Sequence, residues 1–421
     1  MHDNWFTYRT TIPLSINFWQ VDFVAFSYEK PSFKIDCLRK NCWIIRPKIM
    51  KIITQGILNH SQADSDHAIL TGPSLTVLTD GTLLALYRAG TGKDTPDGHI
   101  ELRRSIDGGN SWQPPEHPFP SPIISGVVGS LRLAYITEIA KGQLIAAALW
   151  IDRGTYPGKP LFNGETEGCL PMSVLVADSA DNGQTWSTWR VVPVPDDIGP
   201  ASLTNTIVKL PDGILALSIE SNKHYLDAGK WQQRVVMLFS ADNGQNWSTP
   251  VNSGFDPSGR TFNWDQRAAV SPDGRLATFT WTYDSQEQRY RNIHRRISSD
   301  SGHSWSVAED LGFADQAAHP AILPDGRVVL AWVDRFGSQS IRARIAAGIA
   351  QPFDPASEVV IYEHNSAEAT AIVDTGDLLE TMGLWSFGLP YAEALPNGDV
   401  LVVYYAGSNL AMDIRWCRLR L

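Results

Sequence analysis

The chain has 421 residues, 43% hydrophobic and 19% charged, with 45 acidic against 35 basic side chains and a net charge of -10. That balance describes a globular protein with ample core material. The acidic surplus excludes a binder of nucleic-acid backbones, which needs a basic footprint, and the lack of any long unbroken apolar run excludes a membrane-spanning helix.

Residues 1–49 differ from the rest: they hold seven Lys/Arg against four Asp/Glu and no Gly. They are expected to be an N-terminal extension, disordered or a gene-model artefact, with an ordered arm as the alternative. Residues 11–28 are apolar but interrupted by Gln20 and Asp22, and they lack the basic start of a signal peptide. A cytoplasmic location is expected, with a secreted or periplasmic form as the alternative. The four cysteines, at 37, 42, 169 and 417, show neither zinc nor disulfide spacing.

From Met50 onward one pattern recurs: an apolar run, a two-residue turn and a second apolar run. The segments are LTVLTDGTLLALYR (75–88), LRLAYITEIAKGQLIAAALW (131–150), NTIVKLPDGILALSI (205–219), RAAVSPDGRLATFTW (267–281), HPAILPDGRVVLAWV (319–333) and AEALPNGDVLVVYY (392–405). Asp-Gly and Asn-Gly between such runs predict hairpins, because Gly accepts positive φ. A third strand follows each hairpin, for example HIELRRS at 99–105. Four units then carry an octapeptide of the form S-x-D-x-G-x-(S/T/N)-W: SIDGGNSW (105–112), SADNGQTW (179–186), SADNGQNW (240–247) and SSDSGHSW (298–305). Short Asp and Ser side chains in such turns bond the backbone. Four near-copies on four units point to a structural role, not a catalytic one.

Six repeats of four strands predict an all-β fold: a six-bladed β-propeller over 50–421, with four-stranded antiparallel blades. The last unit, ending in MDIRWCRLRL, lacks an outer strand, and residues 50–58 are expected to supply it and close the ring.

The octapeptides resemble the Asp-box, or BNR, repeat of the sialidase-like superfamily. The resemblance implies a six-bladed propeller with the Asp boxes on the outer rim, remote from the active site. Sialidases bind a substrate carboxylate with three arginines and use a Tyr nucleophile, a Glu partner and an Asp acid. Their first arginine lies in an R-I-P tripeptide; here RPK (46–48) lies in the extension and YRAG follows its hairpin, so the arginine triad does not transfer residue by residue.

Strand order itself locates a mouth. The turns joining first to second strands share one face with the octapeptides, so starts of first strands and ends of second strands meet on the other. This places Asp152, Glu220, Asp265, Asp334 and Glu393 there as candidate catalytic carboxyls, with Tyr405 as a candidate phenol. Glycoside hydrolysis needs such a pair, one kept protonated. Arg88, Arg153, Arg267 and Arg335 are expected to clamp an anionic substrate group. His319, Asn205, Tyr283, Trp281 and Trp332 complete the expected binding surface. The resulting expectation is an exo-acting glycoside hydrolase on a polar or anionic terminal sugar, with a carbohydrate as partner and neither nucleic acid nor membrane. The alternatives are a non-catalytic carbohydrate-binding propeller, or a polysaccharide lyase using His319 with Tyr283 or Tyr405. The ten His show no HExxH motif and no close spacing, and no glycine-rich dinucleotide loop occurs, so neither metal nor cofactor is expected.

Overall fold

The computed structural model describes residues 50–365 and 375–421. The extension expected over 1–49 lies outside the described residues. Among those described, no helix is long and apolar enough to cross a membrane.

The hairpins form through local chemistry. All six turn glycines, Gly81, Gly142, Gly213, Gly274, Gly326 and Gly398, adopt positive φ, between 76° and 88°. At Gly81 an added Cβ would meet nothing within 4 Å, so the demand is on backbone conformation and not on space. The four octapeptides share one set of hydrogen bonds. In the second copy, Ser179 Oγ donates to Asp181 Oδ1 at 2.7 Å, and Thr185 donates to the same carboxylate from N at 2.9 Å and from Oγ1 at 2.6 Å. These donors hold the Asp181 carboxyl down at about 2. In the second and fourth copies the Trp indole also donates to the turn glycine carbonyl, Trp186 to Gly183 at 3.2 Å and Trp305 to Gly302 at 3.1 Å.

The strands assemble into five hydrogen-bonded sheets around a ring. Four are separate propeller blades, four-stranded and antiparallel in plan, with an extra short strand in three of them. They are built on Gly129–Ala140, Leu215–Glu220, Thr261–Val270 and Val328–Asp334. The fifth is a seven-stranded sheet holding both ends of the repeat region. In it, Lys51–Asn59 lies antiparallel on Ala411–Arg420, with Lys51 opposite Arg420. Ala411–Arg420 also meets Ile69–Val77 in parallel, at Ile69 and Met412, where Met412 N donates to Ala68 O at 3.0 Å. The expectation of six separate four-stranded blades is therefore corrected. Among the described residues, the first and last repeats merge through this lateral pairing, leaving four blades standing apart, and no sheet curls closed on itself.

The innermost strands carry the feature that builds the site. Ile69–Val77 shifts register between Thr71 and Ser74, Gly129–Ala140 between Leu131 and Leu133, Thr261–Val270 between Trp264 and Arg267, and Phe387–Ala394 between Gly388 and Tyr391. Such bulges re-aim the side chains that follow them. Asp265 and Leu389, inside two of these bulges, adopt positive φ of 46° and 43°, an uncommon state for non-glycine residues that is worth tracing to function.

Candidate functional site

The four bulges open onto one pocket. Its lining includes Gly72, Arg132, Asp265 and Leu389 from the bulges themselves, Glu220 at the end of a second strand and Asn222 just past it, and an aromatic wall of Phe162, Trp231, Trp264, Trp281 and Trp385. Lys93, Arg267, Arg335 and Tyr405 also line it.

At the pocket's polar end, Asp265 N donates to Glu220 Oε2 at 2.8 Å. Burial pushes the Glu220 carboxyl up to about 8, against the pull of that hydrogen bond. Burial thus favours the protonated, neutral form of Glu220 near pH 7. Asp265 is also raised by burial, but its Oδ2 lies 2.7 Å from the Arg267 guanidinium, which favours the carboxylate. Arg267 is itself buried, and it donates to the Tyr135 hydroxyl at 2.9 Å and the Thr204 carbonyl at 2.5 Å. The site thus holds two neighbouring carboxyls of unlike environment, one unpaired and one facing a guanidinium.

Besides Arg267, three cationic side chains face the pocket. Arg335 lies 4.2 Å over the Trp385 ring and donates to Gln316 Oε1 and the Phe387 carbonyl. Lys93 Nζ donates to the Met382 and Trp385 carbonyls, both at 2.9 Å, and to the Tyr405 hydroxyl at 3.1 Å. Arg132 reaches Asp94 at 3.0 Å, and Arg153 reaches the same oxygen at 2.8 Å. Burial opposes ionisation of Asp94, but the two guanidiniums outweigh it and hold the carboxyl below its usual range.

Of the residues expected from the sequence, Glu220, Asp265, Arg267, Arg335, Trp281 and Tyr405 share this pocket. Several others do not. Asp152 caps its own turn, accepting from Gly154 N and Thr155 N, each at 2.8 Å, and from Thr155 Oγ1 at 2.6 Å. Asp334 does the same for Gly337 N and Ser338. Both bond their own turns outside this pocket lining, since a short carboxylate at a strand end finds backbone N–H groups first. Arg88 is 1% exposed and donates to the Gly92 and Thr95 carbonyls at 2.5 and 2.6 Å, clamping loop 91–98. Arg153 braces the same loop through Asp94. Trp332 is buried against Phe313, 4.6 Å between ring centroids, and fills a blade core. Tyr283 is buried behind the wall, stacked on Trp264 at 4.7 Å, its hydroxyl 3.2 Å from Thr375 Oγ1.

Asn205, His319 and Glu393 form a second group, deeper and outside the pocket lining. The Asn205 side-chain oxygen lies 2.9 Å from His319 Nδ1, His319 stacks on Tyr391 at 4.4 Å, and its Nε2 is 3.9 Å from Glu393. Burial pushes His319 down to about 3 and Glu393 up to about 8, although 27% of the Glu393 side chain remains open to water. Tyr135, stacked on Tyr391 and bonded to Arg267, connects this group to the pocket.

Sequence reasoning missed Lys93 and Arg132. Lys93 sits on the long loop after YRAG, and Arg132 sits in a bulge that breaks strand alternation. The one available signal was a cation in a Gly-, Thr- and Asp-rich loop at the mouth.

The Arg88 clamp carries a direct prediction. A Cβ at Gly98 would lie 1.9 Å from Arg88 Nη2, which already donates to the Thr95 carbonyl while Nη1 holds that of Gly92. We expect Gly98→Ala to cost about 1–3 kcal/mol through overpacking and to loosen the loop that delivers Lys93. Denaturant titration checks this; an unchanged midpoint would show that the guanidinium moves freely.

No family profile and no curated relative matches the chain. Solved structures do. A protein of unknown function from Dyadobacter fermentans is 19% identical, with a TM-score of 0.67 over 88% of this chain and 99% of that one. A leech intramolecular trans-sialidase is 14% identical, with a TM-score of 0.59 over 87% and 70%. An α-L-arabinanase from Penicillium chrysogenum is 15% identical, with a TM-score of 0.58 over 87% and 98%. At these identities the likeness is one of fold: an all-β propeller of the kind seen in sialidases and trans-sialidases. The expectation of a six-bladed Asp-box propeller is corrected accordingly, because the first and last repeats do not form separate blades.

Proposed function

We propose that the protein is an exo-acting glycoside hydrolase for a polar or anionic terminal sugar, with Glu220 as proton donor and Asp265 as its carboxylate partner. One observation carries the reading: a buried carboxyl pushed up to about 8 bonds the backbone of an arginine-paired aspartate inside one pocket. Two carboxyls driven apart in this way divide acid and carboxylate roles.

The surroundings support it. Four indoles offer flat apolar faces to sugar rings. Lys93, Arg132, Arg267 and Arg335 give the pocket an excess of positive charge suited to a carboxylate or sulfate. Loop 91–98 reaches across to the Met382 and Trp385 carbonyls, closing one side, and a closed side favours attack at chain ends. The lyase alternative loses support, because His319 does not line the pocket and burial, which pushes it down to about 3, leaves it a weak base.

The test is hydrolysis of acidic and neutral oligosaccharides across pH. Glu220 must carry its proton to act, so activity depends on the protonated fraction. We expect kcat/KM to hold up to about pH 8 and then to fall about tenfold per pH unit. No hydrolysis of any acidic or neutral glycan, or an alkaline limb unchanged in Glu220→Gln, ends the proposal.

A further inference from the structure

A second cluster of chemistry-bearing side chains lies outside the pocket, at the base of loop 91–98. His99 and Glu101 sit two apart on His99–Ser105 and so share one face of that strand. His67, which precedes Ile69–Val77, reaches the same point. One ligand atom from each of the three lies within 4.8 Å of the others. His67 and Glu101 are 34 positions apart, which is why spacing in the sequence gave no sign of the cluster.

The orientation of the groups is informative. His67 Nδ1 is 2.8 Å from the Asp66 carboxylate, an acceptor, so Nδ1 carries the ring proton. That leaves the Nε2 lone pair aimed at Glu101 Oε1, 2.5 Å away. His99 Nε2 approaches the same oxygen at 3.5 Å. The other Glu101 oxygen is held by the Tyr87 hydroxyl at 2.7 Å and by Asn59 at 3.4 Å. Lone pairs converging on a fully buried carboxylate repel one another unless a cation sits among them. That cation is a proton on His67 or a metal ion.

We propose that His67, His99 and Glu101 form a divalent-metal site of zinc type that staples the return of loop 91–98. Two imidazoles and one carboxylate are a donor set zinc accepts, with a fourth position left open. Asp66 on His67 Nδ1 is the outer carboxylate that orients a metal-binding imidazole. The imidazoles are 27% and 30% exposed, so an ion can enter from solvent.

The experiment is calorimetric titration of chelator-treated full-length protein with zinc chloride near neutral pH. We expect uptake of one equivalent and a raised Tm. His67→Ala and His99→Ala should each weaken that uptake by about 100-fold or more. Asp66→Ala, at an exposed position, should weaken it by about 10–100-fold, which keeps the test valid if a histidine variant misfolds. Calcium in place of zinc should give no heat, since that ion takes oxygen ligands. No uptake by the wild type means that a proton alone fills the cluster and overturns the proposal, as does uptake left unchanged by all three substitutions.

Discussion

Glu220→Gln should lower turnover of natural oligosaccharides by about 10²–10⁴-fold while leaving the fold intact. Glutamine keeps the shape and still accepts from Asp265 N, the bond that holds Glu220 Oε2 at 2.8 Å. It cannot protonate a departing glycosidic oxygen. The loss should be much smaller on nitrophenyl glycosides, whose leaving groups need little protonation. That split between substrates separates a proton donor from a residue that only shapes the pocket. Equal losses on both substrate types would remove Glu220 from the acid role.

Arg267→Met should be the most damaging single change to stability near the site. Arg267 is 4% exposed, and its guanidinium joins Asp265, Tyr135 and Thr204. Removing one partner of a buried pair costs about 3–5 kcal/mol, because the remaining charge stays without compensation. Asp265 would be left as that charge, with neutral Glu220 beside it unable to compensate. Adding Asp265→Asn to Arg267→Met should recover part of the loss, and urea denaturation of the single and double variants measures the coupling. A single variant within about 1 kcal/mol of wild type would show that the pair is solvated and that the pocket is wetter than its burial implies.

The legible and illegible parts of the site differ for physical reasons. Glu220 and Tyr405 could be placed from the sequence because they lie at or near the ends of regular second strands, where period-two alternation fixes which way a side chain faces. Asp265 and Arg267 were found as candidates, but not the bulge between Trp264 and Arg267 that turns them toward Glu220. Arg132 was invisible for the same reason, since its register shift breaks the alternation on which the count depends. Asp152 and Asp334 looked equivalent to Glu220, yet their shorter side chains are consumed by adjacent backbone N–H groups. Lys93 depends on a loop that crosses to the Met382 region, a contact no local pattern encodes.

Sequence by itself determined the strands, the glycine turns and the internal bonding of the octapeptides, because each is settled by neighbours within a few residues. Tertiary structure alone decided that the first and last repeats fuse at Ile69 and Met412 into one seven-stranded sheet. It alone decided as well which carboxyl keeps its proton. Both outcomes rest on contacts between distant segments: strand pairing needs a partner edge brought alongside, and a pKa answers to the burial and charge that the whole fold places around a group.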